Sequence, residues 1–209
     1  MRLALGLPFV LAGCAMTSPV PAPVSSTPVA VYAAGSLREV LTEIARDHEA
    51  RTGQKLQLTF AASGLLRERI EKGEPAQVFA SADTQHPQRL AAAGGWQAPQ
   101  VFVRNSLCAL TQAEVNTSPD RLLATLLDPA IQPGTSTPKA DPAGDYAFEM
   151  FDRVEATGAG PAGAAAALKA KALQLTGGAG SPQPQPGRSL YGTLMAEGRA
   201  DVFITYCTN

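Results

Sequence analysis

Three short stretches of this chain set a small or capping residue between the end of an apolar run and the start of a helical one. They are Ala34-Gly35-Ser36-Leu37, Ala62-Ser63-Gly64-Leu65 and Asp141-Pro142-Ala143-Gly144. A helix start presents backbone N–H groups that have no partner inside the helix, together with a partial positive charge. Such a junction suits an anion. Small residues let the backbone approach closely, and a serine hydroxyl adds a side-chain donor. Taking a dianion out of water is costly unless many hydrogen bonds replace the lost hydration. Neutral donors converging from several junctions can supply them without a lysine. Singly, each serine is equally well explained as an ordinary N-cap. Two junctions in the first half and one in the second together predict a cleft that binds an anion or another small solute.

Other chemistry finds little support. His48 falls near the apolar edge of the helix that follows Ser36, and His86 precedes Pro87 at another helix start. Neither has metal-ligand spacing or a nucleophile–base motif around it. The carboxylates are scattered, with no acid–base pair, and Trp96 reads as a packing residue. The expectation is a binding protein rather than an enzyme, without a cofactor and monomeric. With a formal net charge of −1 and no basic cluster, nucleic acid is not an expected partner.

The elements that must position these junctions alternate strand with helix. Strands are expected at Val29–Ala34, Lys55–Ala61 and Gln77–Ala80. Helices are expected from Leu37 to about Arg51, from Leu65 to Lys72, and from Pro87 to Gly94-Gly95. Leu37, Val40, Leu41, Ile44 and Ala45 recur at helical spacing. The pattern then restarts. Val101–Val103 and Ser106–Leu110 read as strands, Asp120–Leu127 as a helix capped by Asp120, and Gln132–Ser136 as a strand. A helix begins at Asp141-Pro142, and Ala162–Leu175 reads as one Ala-rich helix. Thr176–Gly187 is a loop, Ser189–Glu197 a helix and Ala200–Tyr206 a strongly apolar strand. This βαβ alternation predicts an α/β protein with mainly parallel sheets flanked by helices. It divides into lobe I at 29–103 and lobe II at 104–209, joined near residues 100–106.

The start of the chain reads as an address. Residues 1–13 have a minimal positive start and a short apolar run, followed by Leu11-Ala12-Gly13-Cys14, a lipobox. Cys14 is the expected lipidation site, and the Pro- and Ser-rich residues 14–28 are a tether. This predicts a lipoprotein held at an extracytoplasmic membrane face. Of the three cysteines, Cys108 and Cys207 remain. An exported pair is open to two readings, a disulfide or two buried thiols.

Three segments in the first half carry a family resemblance: Val31–Leu37, Phe60–Leu66 and Ile70–Asp83. Pro142–Ala147 and Ala200–Tyr206 continue it. Together they closely resemble the periplasmic molybdate-binding proteins of molybdate ABC importers. The resemblance implies a two-lobed type II periplasmic-binding fold that holds molybdate or tungstate between its lobes and delivers it to an ABC permease. Carried over by position, the oxyanion ligands are the hydroxyls of Ser36, Ser63 and Tyr206 and the backbone amide of Ala143. The family's remaining backbone contact falls on Arg188, whose guanidinium is open to two readings: it alters anion choice, or its head faces solvent. Family members continue past the tyrosine and cross back to complete the first lobe, whereas this sequence stops at Asn209. Either the sequence is a fragment of a longer product, or the first lobe lacks its usual cover, in which case apolar surface on lobe I is expected to be exposed. Two alternatives stand beside molybdate. One is a binder of another oxyanion such as sulfate or phosphate; the other is a sensor or interaction protein that keeps the fold without transport.

Overall fold

A computed structural model describes residues 27–185 and 187–209. The leader, Cys14 and all of the tether except Thr27 and Pro28 lie outside the described residues. Lobe I is a three-stranded, wholly parallel sheet of order β2-β1-β3, with β1 at Val29–Ala34, β2 at Leu56–Ala61 and β3 at Val78–Ala80. The central strand β1 pairs with β2 along its whole length, from Val29↔Leu56 to Ala34↔Ala61. Its last four residues are buried on both faces, as expected of the middle of a parallel sheet.

Helices α1 (Arg38–Thr52), α2 (Ser63–Glu71) and α3 (Gln85–Ala93) connect and cover these strands. A 3-10 turn at Gly35–Leu37 leads into α1. At the far end Gly53 takes a left-handed φ of 72° and donates its N–H to the Glu49 carbonyl, the conformation that ends helices cheaply only at glycine. The lobe I core gathers Tyr32, Leu66, Ile70 and Leu90, with Trp96 packed against it.

Lobe II is a mixed sheet of order β4-β7-β5-β6. Its strands are β4 (Leu107–Thr111), β5 (Pro133–Ser136), β6 (Leu173–Thr176) and β7 (Val202–Tyr206), and only the β4–β7 pair is antiparallel. Its helices are α4 (Leu122–Leu127), α5 (Pro142–Ala156), α6 (Ala164–Lys171) and α7 (Leu190–Ala196). Every residue of β7 is buried. One core cluster places Val202 and Ile204 against Ala147, Phe151 and Leu168. A second packs Phe203 against Leu194, Met195 and Ala200. The sulfurs of Cys108 and Cys207 are joined as a disulfide, their Cα atoms 4.9 Å apart. This ties the residue after Tyr206 to the start of β4.

Three expectations are corrected. Val101–Val103 forms no strand; all three side chains are exposed, Phe102 by 65%. Their β-prone composition is real, but they pair with no strand. The run Ala162–Leu175 is a helix only over Ala164–Lys171, and its end is the edge strand β6, parallel to β5. Pairing with β5 overrides the helical propensity of the Ala-rich stretch. Lys171 marks the break, its Nζ donating to the carbonyls of Leu126 (2.9 Å) and Asp128 (2.5 Å). Asp120 does not cap a helix; it lies inside a 3-10 turn, Pro119–Arg121, ahead of α4.

Some apolar side chains of lobe I are exposed. On α1 only Ala45 is buried, while Val40 and Ile44 stand 50% and 49% exposed. No described helix is long and apolar enough to cross a membrane.

Candidate functional site

Parallel pairing decides where the site falls. All three strands of lobe I run the same way, so Ala34, Ala61 and Ala80 end on one edge. In lobe II, β5, β6 and β7 share a direction, so Ser136, Thr176 and Tyr206 end on one edge too. Ligand sites of open α/β sheets lie outside such carboxyl ends. A cavity of about 390 Å³ is lined by the segments that follow these ends. They include Ser36, Ser63 and Ala82 from lobe I, and Asp141, Gly177, Arg188 and Tyr206 from lobe II.

The two serines are not performing the capping role that their positions also allow. The N-cap position of α2 is Ala62, and no side chain caps that helix. None caps the 3-10 turn containing Ser36, or α1 after it. Ser63 is fully buried, and its Oγ accepts the Ala82 N–H at 3.0 Å. That leaves the Ser63 O–H to donate elsewhere. Ser36 is half-buried on the cavity wall. By contrast, two of the lobe II helices, α5 and α7, carry side-chain caps. Asp141 accepts from Ala143 N–H at 3.0 Å, with Pro142 in the first turn of α5. Ser189 accepts from Gly192 N–H at 3.3 Å.

Tyr206 bridges the lobes. Its hydroxyl donates to the Ala82 carbonyl at 3.2 Å, and its ring meets Tyr146 edge-on at 6.5 Å. Burial, reinforced by the nearby Asp141 carboxyl, pushes the phenol's pKa far up, so Tyr206 stays a neutral donor. A second bridge runs from the start of α2, where Gly64 N–H donates to the Ala140 carbonyl at 2.8 Å. A Cβ at residue 64 would overlap the carbonyl oxygens of Lys139 and Ala140, so only glycine permits this approach. Lys139 itself holds φ at 68°, a conformation uncommon outside glycine, and its N–H donates to Asp145 at 2.8 Å.

Of the residues singled out from sequence, Ser36, Ser63, Tyr206 and Arg188 line one cavity. Ala143 sits one layer behind, fully buried, with its N–H engaged by Asp141. The Arg188 N–H is also engaged, by the Gln185 carbonyl at 3.1 Å, so the exposed side chain is what Arg188 offers the cavity. The lining residues not singled out from sequence include Arg38 and Asp141. Arg38, two positions after Ser36, lies with its guanidinium carbon 4.6 Å from the Phe60 ring centre. Burial lowers its pKa, and among the described residues it has no acidic partner within salt-bridge distance. Its place on the first turn after Ser36 was the available signal. Asp141 was seen only as part of a helix start. It lines the cavity, and burial pushes its pKa up to about 6 against the hydrogen bond from the Ala143 N–H.

Neither histidine lines the cavity. His86 is buried, and burial lowers its pKa; His48 lies on α1 with its ring 3.3 Å from Gln54 Oε1. No group of three or more His, Cys, Asp or Glu suited to a metal ion occurs among the described residues. The arrangement is thus a set of hydroxyl and guanidinium groups facing one space from both lobes, with two acids among them, half-buried Asp141 and exposed Glu39.

Comparisons with known proteins agree with this architecture. Residues 29–209 match the bacterial extracellular solute-binding protein family. An uncharacterised protein of Pasteurella multocida is 37% identical over 180 residues, covering 86% of this chain and 73% of that one. A Mycobacterium tuberculosis protein named molybdate-binding protein ModA is 35% identical over 89 residues, 40% of this chain and 34% of that one. In structure, the periplasmic molybdate-binding protein of Azotobacter vinelandii superposes with a TM-score of 0.61 at 18% identity, covering 85% of this chain and 71% of that one. The chain therefore belongs to the bacterial extracellular solute-binding proteins, in the two-lobed type II periplasmic-binding fold.

Proposed function

We propose that this protein captures a small tetrahedral oxyanion, molybdate or tungstate, between its lobes and hands it to the permease of an ABC importer. The observation that carries the reading is the state of the two serines. Ser36 and Ser63 stand at strand-to-helix junctions without capping those helices, on the wall of one cavity. Tyr206 stands on the opposite lobe as a neutral phenol, whose O–H, given to the Ala82 carbonyl at 3.2 Å in the structure, would turn to the anion. Molybdate as the anion rests on the named relative, whose 89 matched residues are 35% identical. The lipobox at Cys14 supports an extracytoplasmic lipoprotein, delivered and held by its lipid. The domain division at 29–103 and 104–209 belongs to the same reading.

A second reading, a different tetrahedral anion such as sulfate or phosphate, is favoured by one observation. Arg38 and Arg188 both line the cavity, and guanidinium groups recognise many oxyanions by paired hydrogen bonds. Thermal unfolding with each of molybdate, tungstate, sulfate and phosphate decides between them. The proposal expects molybdate and tungstate to raise Tm most. A shift with sulfate or phosphate alone moves the assignment to the second reading, and no shift with any of the four refutes both.

A further inference from the structure

An anion cleft seldom needs an acid, yet this one contains Asp141. The carboxyl lies on the cavity wall with Ser36, Ser63 and Tyr206. One oxygen accepts the Ala143 N–H at 3.0 Å. Gly177 presses against the other so closely that a Cβ there would meet Oδ2 at 2.5 Å. The carboxyl is therefore held by its own helix cap and by the loop after β6.

An ionised carboxylate has only acceptors, and so does a fully deprotonated oxyanion. Placed on one low-dielectric wall, the two repel and leave each other's lone pairs unpaired. A proton on Asp141 removes the charge and turns the acid into an O–H donor to the anion. We infer that Asp141 is a ligand-binding residue that takes up a proton from solvent when a dianion enters the cleft and donates it in a hydrogen bond to that anion. This rests on the oxyanion reading above and adds a residue and a proton to it.

The surroundings suit this role. In the structure, burial already holds the Asp141 pKa up to about 6, and Asp145 on the same helix pushes the same way. The groups facing it from other elements are Tyr191 on α7 and Tyr206 on β7, both kept neutral by burial. Arg38, Glu39 and Arg188 share the cavity wall. With Asp141 ionised, the two acids cancel the two arginines. With Asp141 protonated, the wall is left with a net positive charge for the incoming dianion.

Calorimetric titration of the purified protein with molybdate and with sulfate, in buffers of different ionisation enthalpy, measures proton uptake directly. The expected result near pH 7.5 is uptake approaching one proton per anion, with affinity falling up to tenfold per pH unit above pH 6. Asp141→Asn keeps an oxygen to cap α5 and supplies a fixed N–H donor. It should bind with no proton uptake, with a flat pH profile from 6 to 8, and more tightly than the native protein at pH 8. Wild-type binding without uptake overturns the inference and leaves the oxyanion reading intact; this arm stands whether or not the variant folds. A variant that retains the pH dependence also overturns it. Failure of the folded native protein to bind any oxyanion overturns both.

Discussion

The two lobes solve one task, holding a donor at a strand end, by different means. Lobe II surrounds its key strand: β7 is buried from Val202 to Tyr206, between a cluster around Phe151 and Leu168 and another around Phe203. A disulfide ties the following residue to β4. Lobe I presents Ser36 and Ser63 from a smaller sheet, positioned by the six-residue β1–β2 register, while Val40 and Ile44 on α1 remain half exposed. Packing and a cross-link fix the tyrosine side; backbone pairing fixes the serine side. The difference teaches that stability and binding residues need not be concentrated in the same half. Most stability should lie in lobe II, and the hydroxyl donors depend more on lobe I.

Substitutions can break this contrast in graded steps. The largest effect is expected from Phe151→Ala, which empties a fully buried site in lobe II and should cost about 3–5 kcal/mol in denaturant unfolding. A loss below about 1 kcal/mol would show that the lobe II core does not dominate. Removing the disulfide, by reductant or by the paired Cys108→Ser and Cys207→Ser change, releases a closure spanning 99 residues. It should cost about 2–4 kcal/mol. Because Cys207 follows Tyr206 directly, anion affinity should fall with it, whereas equal affinity in the reduced protein would remove the strand tie from the account.

Asp141 sharpens the comparison through pH. Its folded pKa of about 6 lies above its ordinary value of 3.8. The neutral acid is thus the favoured buried form. No stability is lost below the ordinary value, and the penalty grows as pH rises from about 4 through about 6. Asp141→Asn should match the native protein in stability near pH 4 and exceed it at pH 8 by at most about 3 kcal/mol, less where the cavity solvent screens the charge. Equal melting temperatures at both pH values would argue against a penalised carboxylate. The smallest effect belongs to lobe I: Val40→Ser or Ile44→Ser should change stability by less than about 0.5 kcal/mol, as at other exposed positions. A loss of 2 kcal/mol would mean that this face is covered in solution.

Much of this was legible in the sequence, for identifiable reasons. The junctions at Ser36 and Ser63 were visible because apolar strands, small residues and helical periodicity follow one another closely. The parallel sheets followed from that alternation. Tyr206 as a cavity residue came only through family resemblance, since alone it is a strand-end aromatic. β6 was hidden because Ala-rich sequence favours a helix until a neighbouring strand offers its edge. Val101–Val103 erred the other way, having strand composition without a partner. The Cys108–Cys207 bond could not be read because sequence carries no Cα separation. Arg38 and Asp141 became candidates only when the cavity brought the six parallel strand ends together.

The measurement that tests the central claim most directly is a molybdate titration of the purified native protein beside Ser36→Ala and Ser63→Ala, followed by calorimetry. Hydrogen bonds to a charged partner contribute about 1.5–3 kcal/mol each. The account predicts one anion per protein, with affinity reduced at least about tenfold in each variant. Molybdate binding of equal strength in all three proteins, or no binding in the native one, would contradict it.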